Sequence, residues 1–245
     1  MSRKVTLVSY INTLPYLEVL RNSKQFELDL RVPSECADAF KDYSSDIALV
    51  PVGSLADIQR PYRRIDSFGI GGDGEVRTVK LLSHKKKEEL TEIALDIQSA
   101  TSVQLVRILA DRYWGLVVSF TSYNVGDNLP EAVLAIGDKV FELESHYEFS
   151  YDMSQEWKNW LDLPFAFAVW IISDEYTTKE EDEFRKLLEK VPDVIDAVIE
   201  KQNGKYENYD LESYLKKNIK YSFGPDYKKA IELFLQYQLS LAERL

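Results

Sequence analysis

Four places in this 245-residue chain put small polar residues where an apolar run gives way to a helical pattern. They are SYINTLP (9–15), VPVGSL (50–55), DIQSATS (96–102) and AIGDKVF (135–141). In the third, Ser99, Thr101 and Ser102 crowd the start of a helix. A helix N-terminus carries unpaired N–H groups and the positive end of the macrodipole, so hydroxyls added there make a site for a carboxylate. The same residues equally serve as a plain cap, with Ser99 accepting a first-turn N–H and the other two filling the turn. Repetition at several strand ends favours a shared cleft, because ligands of open α/β sheets lie beyond the carboxyl ends of the strands. At the other junctions the candidates are Asn12 and Thr13, with Pro15 suited to a first helical turn; Gly53 and Ser54; and Gly137 and Asp138, the last as readily a helix cap as a catalyst.

The rest of the inventory narrows the chemistry. His84 and His146 are the only histidines and Cys36 the only cysteine, which leaves no disulfide and argues against a His-based triad, a multi-ligand metal site or a metal cofactor. Catalysis must lean on hydroxyls, amides, carboxylates, Arg and backbone N–H groups. A net charge of −11 argues against nucleic acid as a partner, and the one basic run, HKKKEEL (84–90), passes at once into acids and reads as a solvated turn. No apolar run approaches the roughly 20 residues that cross a bilayer, so no membrane partner is expected. The opening MSRKVTLVSY has no apolar signal core, and a cytoplasmic location is the expectation.

The elements that must position these residues alternate between strand and helix, the pattern of an α/β protein. Strands are expected at 4–9, 26–32, 46–50, 76–84, 94–96, 116–120, 132–137, 148–152 and 165–172, with helices at 14–22, 34–43 and 99–114 between them. After residue 174 only amphipathic helices follow, at 178–202, 210–218 and 225–243. The shift suggests a chain that builds one lobe, crosses to a second near 84–88, and returns near 171–176. Lobe I would be 1–84 plus 175–245, and lobe II 85–174. The aromatics of FAFAVWII are core or cleft wall. Arg77 and Lys80 fall on opposite faces of one strand, so Arg77 or Thr78 can face a cleft. GIGGDG (69–74) matches the dinucleotide fingerprint formally, but β-rich sequence follows it instead of a helix, and it reads as a glycine-rich connection.

Taken in order, YINTLPYL (10–17), DIALVPVGSL (46–55), GIGGDGEVRTVKLLS (69–83), LDIQSATSVQLVRIL (95–109), AVLAIGDKVF (132–141) and YDMSQEWKNWLDLPFAFAVW (151–170) resemble the chorismate dehydratase family of the futalosine route to menaquinone. Thr78 stands where serine is common in that family, Met153-Ser154 where Leu-Gly is usual, and Leu161-Asp162 where Thr-Gly is usual. The resemblance implies a two-lobed fold of the type II periplasmic-binding-protein kind with a ligand cleft between the lobes, and elimination of water from chorismate without a cofactor. It implies that Asn12 stands nearest the abstracted proton, either orienting a base such as the substrate's enolpyruvyl carboxylate or taking the proton itself. Ser99, Thr101 and Ser102 would hold one carboxylate, and Ser54, Thr78 and Arg77 the other. Thr13 and Gly137 would complete the binding shell, and protonated Asp138 would assist departure of the hydroxyl. The same architecture serves solute receptors and the related 1,4-dihydroxy-6-naphthoate synthase, which are the competing readings.

Overall fold

The computed structural model describes residues 3–96, 99–123, 128–202, 205 and 209–243. Ile97 and Gln98, within the third junction, lie outside the described residues. Among the described residues, eleven strands form two mixed sheets. The first begins with β1 (Arg3–Val8), which pairs in parallel with β2 (Phe26–Arg31) on one side and β3 (Ile47–Pro51) on the other. Helices α1 (Leu14–Ser23) and α2 (Pro33–Lys41) make the crossovers, each with proline in its first turn, where a missing N–H costs nothing. The sheet is completed by β4 (Tyr62–Gly72), β10 (Phe165–Ser173) and β11 (Lys220–Ser222), in the order β11-β4-β10-β3-β1-β2. β10 runs antiparallel to both its neighbours.

The second sheet has the order β7-β6-β8-β5-β9 and uses β5 (Val79–Ser83), β6 (Glu92–Leu95), β7 (Ser119–Ser122), β8 (Ala132–Ile136) and β9 (Phe149–Asp152). Helices α3 (Ala100–Ile108), α4 (Lys139–Leu143) and α5 (Met153–Leu161) accompany it. The expected lobe boundaries therefore move. β5 belongs to the second sheet and β10 to the first, so the chain crosses between Gly72 and Val79 and again between Leu161 and Phe165, not at 84–88 and 171–176. Both strands are buried over almost their whole length, and burial carries no mark of which sheet receives a strand.

GIGGDG is not a loop: Gly69, Gly71 and Gly72 are the end of β4. A Cβ on Gly69 would come within 2.6 Å of the Phe223 ring, and one on Gly71 within 2.7 Å of Tyr227. The glycines thus let a stacked Phe223–Tyr227 pair, with centroids 4.0 Å apart, lie flat on the strand. After α6 (Thr178–Leu188), α7 (Val191–Lys201) and the short α8 (Leu211–Ser213), the chain ends in α9 (Pro225–Ala242). This last helix belongs to neither lobe alone. Phe234 packs edge-on against Phe165 of β10, while Tyr237 stacks on Trp160 of α5. Gln238 Nε2 donates to Gly53 O at 2.8 Å, and Arg112 reaches Ser240 Oγ.

The lobes meet most closely where α3 abuts the 3-10 turn Val52–Asp57. An added Cβ on Gly53 would lie 2.9 Å from Thr101 N, so only glycine permits this approach. Thr101 Oγ1 accepts from Gly53 N at 3.0 Å and donates to Phe167 O at 2.9 Å. The Phe167 carbonyl is free to receive it because the register of β10 against β4 slips between Ala166 and Ala168, a bulge of the kind that re-aims backbone and side chains beside a site. Thr101→Val keeps the shape but leaves a buried N–H and C=O without partners. It is expected to lower stability by about 2–4 kcal/mol in urea unfolding, a cost typical of two orphaned polar groups.

Candidate active site

Between the lobes lies a narrow cavity of about 60 Å³, smaller than the usual small-molecule site. Of the residues singled out in the sequence, Asn12, Thr13, Thr78, Ser99, Ser102 and Gly137 wall it. Ser54, Arg77, Thr101 and Asp138 do not. Much of the remaining wall is aliphatic or aromatic, including Val8, Leu49, Ile70, Ile136 and Phe167. Among the described residues that wall the cavity there is no lysine or arginine. Any anion held there rests on hydroxyls, amides and helix ends in apolar surroundings, where fixed dipoles act most strongly.

Each junction is built differently. Asn12 sits in a 3-10 turn, Ile11–Thr13, that leads into α1, and Thr13 Oγ1 is turned back onto the carbonyls of Val8 and Tyr10. Ser99 does cap α3: its Oγ accepts from Ser102 N at 3.4 Å and bonds Ser102 Oγ at 3.2 Å. The cap and the cavity wall are the same atoms. Thr101 is the exception, since its hydroxyl is engaged in the contact between lobes. Arg77 adopts a left-handed backbone, with φ of 64°, and lays its guanidinium 5.1 Å from the Tyr209 ring centroid. Asp138 occupies the N-cap position of α4 without making a capping bond. Burial, and then the charge of Glu142, push its carboxyl up to about 6.

Other groups complete the site without having stood out in the sequence. Tyr10 walls the cavity, and its ring lies against Gly137, whose Cβ position would be 3.6 Å from it. Burial and then the charges of Asp96 and Asp138 raise its phenol to about 12, so it stays a donor at neutral pH. Tyr10 lies inside the SYINTLP motif, and its place before the junction was the available signal. Asp152 fixes the crossing that carries Thr78. Its Oδ2 accepts from Val76 N and Arg77 N at 3.1 and 2.6 Å, while Oδ1 accepts from Ser154 N and Gln155 N at 3.0 and 3.1 Å and so caps α5. Burial pushes this carboxyl up to about 6, against N–H donors that favour its charged form. An Asp two residues ahead of a Ser at the head of an amphipathic run was the mark of that cap. Tyr214, fully buried, hydrogen-bonds Thr78 Oγ1 at 3.0 Å.

The two lobes, with a strand from the return crossing inserted antiparallel in the first sheet and a narrow cavity between, define a protein of the periplasmic-binding-protein-like fold. Protein AF1704 from Archaeoglobus fulgidus superposes with a TM-score of 0.75 at 12% identity, covering 98% of this chain and 97% of that one. The periplasmic aliphatic sulphonate binding protein SsuA from Escherichia coli gives 0.63 at 12% identity, over 99% and 92% of the two chains. The Candida albicans CA3427 gene product, described as exhibiting the generic periplasmic binding protein structural fold, gives 0.59 at 13% identity, over 100% and 91%. At such identities the likeness is one of fold. The sequence goes further: the chain belongs to the menaquinone biosynthesis family, whose model matches residues 4–239.

Asp152→Asn places an NH2 opposite a pair of N–H donors at the crossing. The variant is expected to lose about 2–4 kcal/mol of stability by chemical denaturation, as removal of a charged acceptor from buried donors does.

Proposed function

We propose that this chain is a cytoplasmic chorismate dehydratase, a hydro-lyase that converts chorismate to 3-[(1-carboxyvinyl)oxy]benzoate in the futalosine route to menaquinone. The observation that carries the reading is the meeting of Asn12, Thr78 and the Ser99–Ser102 helix end around one cavity with largely apolar walls. Membership of a menaquinone biosynthesis family supports it.

The reaction asks for little chemical machinery. A C–H bond breaks on the ring carbon that bears the enolpyruvyl ether, the C–O bond to the neighbouring hydroxyl breaks, and the C–H electrons complete an aromatic ring while proton and hydroxyl leave as water. Aromatisation supplies the driving force. The protein's share is to exclude water, hold both carboxylates and fix the reacting carbon and hydroxyl in geometry for elimination. Ser99 and Ser102, with the α3 N-terminus, hold one carboxylate. Asn12 stands nearest the proton that is removed. Thr78 and Thr13 border the far side of the ring, and Tyr10 and Gly137 close the cavity beside Asp138. Asp138 does not itself wall the cavity; in its protonated form it assists the leaving hydroxyl through Tyr10, whose ring lies against Gly137 and whose phenol feels the Asp138 charge. Thr101 serves from behind the wall, through the Gly53 N–H and Phe167 carbonyl it holds, while Arg77 lies over Tyr209 outside the wall, as Ser54 does.

Purified protein given chorismate is expected to produce, over many turnovers, a species lighter by one water with an aromatic ultraviolet spectrum. Intact chorismate in a saturated complex would favour a binding module over an enzyme. Asn12→Ala is expected to lower kcat by roughly a hundredfold or more while chorismate still binds, as loss of a group acting at the reacting atoms does. The raised Asp138 carboxyl sets the sign of the pH dependence: its acid form prevails below about 6, so kcat/KM falls as pH rises through that value. Asp138→Asn, which does not titrate, is expected to flatten that limb of the profile.

A further inference from the structure

Beside the seam between the lobes the chain forms a second opening, a groove of about 450 Å³, which unlike the cavity is within the range of small-molecule sites. Its walls come from α3, from the π-helical turn Leu109–Trp114 that continues α3, from residues 116–120 and from the end of α9. Such turns are rare and occur frequently at functional sites. Leu116, Val117, Val118, Phe120 and Leu241 make most of the surface apolar, and Val117 is 97% exposed.

Two charged residues stand in this apolar wall, Arg107 and Asp111. The Arg107 guanidinium lies 4.6 Å from the centroid of the Phe120 ring. Among the described residues it has no hydrogen bond or ion pair, and its Nε is buried without a partner. Gln238 also walls the groove, and its Oε1 is likewise buried without a partner, while its Nε2 holds Gly53 O at 2.8 Å. Buried polar atoms in that condition call for water or a ligand. A guanidinium stacked on a ring in apolar surroundings suits a carboxylate, because a charge-assisted hydrogen bond gains where water competes weakly.

We propose that this groove is a second binding site, for a small organic acid with an apolar body. Arg107 holds the carboxylate, and the body lies along Leu116, Val118 and Leu241. Asp111 opposes the incoming charge, so the site favours monoanions over dianions. The occupant bridges α3 and α9, the two helices that grip Gly53 through Thr101 and Gln238, and its binding is therefore read at the seam.

The test is an NMR titration of methyl-labelled protein with octanoate, and with octanamide as the neutral counterpart of the same length. Octanoate is expected to shift the methyl signals of Val117, Val118 and Leu241 saturably, with a Kd at least roughly tenfold below that of octanamide. Arg107→Met keeps an apolar stem over Phe120 and is expected to weaken octanoate roughly tenfold or more, while octanamide changes less than about twofold. Should that variant fold poorly, Asp111→Asn, at an exposed position, is expected to tighten octanoate roughly twofold to fivefold and leave octanamide as it was. The Gly53 amide signal is expected to move with the methyls. Octanoate that gives no saturable shift, or binds no better than octanamide, overturns the proposal, as does an octanoate affinity that neither substitution changes. Shifts confined to Val8 and Ile136 put the acid in the cavity between the lobes and overturn it too. A Gly53 amide that stays still overturns the link to the seam.

Discussion

The arrangement turns on one hydroxyl. Thr101 Oγ1 lies between Gly53 N–H in the first lobe and Phe167 O on β10, and it fixes how far the start of α3 stands from the strand ends facing it. Sequence makes the contact possible at both ends, through a glycine that has no Cβ to collide with α3 and a bulge that releases a carbonyl from its ladder. Without that distance, Asn12 on one lobe and Ser99 and Ser102 on the other would be two unrelated helix caps. With it, they border one cavity. α9 strengthens the same seam, since Gln238 hydrogen-bonds Gly53 O from the solvent side.

The cavity departs from the usual picture of anion recognition in having no lysine or arginine among its described wall residues. In a chain of net charge −11, local dipoles must set the potential. Under the proposed reaction, neutral donors suit a site that takes in one anion and gives up another. The polar groups that lack contact with the cavity are not idle. Asp152 holds the crossing strand, Thr101 holds the lobes, and Arg77 covers Tyr209. Side chains of the types that do chemistry are here spent on geometry.

Much of this was legible in the sequence. The α/β alternation, the helix beginning at residues 99–100 and the junctions bearing Asn12, Ser99, Ser102 and Gly137 emerge from period and turn chemistry, and Thr78 from its place on a strand and the family resemblance. Lobe membership did not, because β5 and β10 are both buried strands and burial carries no address. Nor did β4, whose glycine-rich end has low strand propensity and is shaped by the rings lying on it. Thr101 resembles its neighbours Ser99 and Ser102 in type, and only the fold shows that its hydroxyl points at the other lobe. Tyr214 gave no local signal at all, since its hydrogen-bond partner Thr78 lies 136 residues away.

The position of β10 also orders events during synthesis. β4 has strand partners only in β10 and β11, and the far edge of β3 waits for β10 as well. At ordinary rates of translation, the interval between the emergence of β3 and that of β10 is on the order of ten seconds. Throughout it the nascent chain presents three unsatisfied strand edges, both of β4 and one of β3, the usual templates for aggregation. The second lobe, contiguous from β5 to α5, can fold in that gap. β4 is suited to the wait: Arg63, Arg64 and Asp66 along it and glycines at its end make it a poor partner for any strand but the ones shaped to meet it.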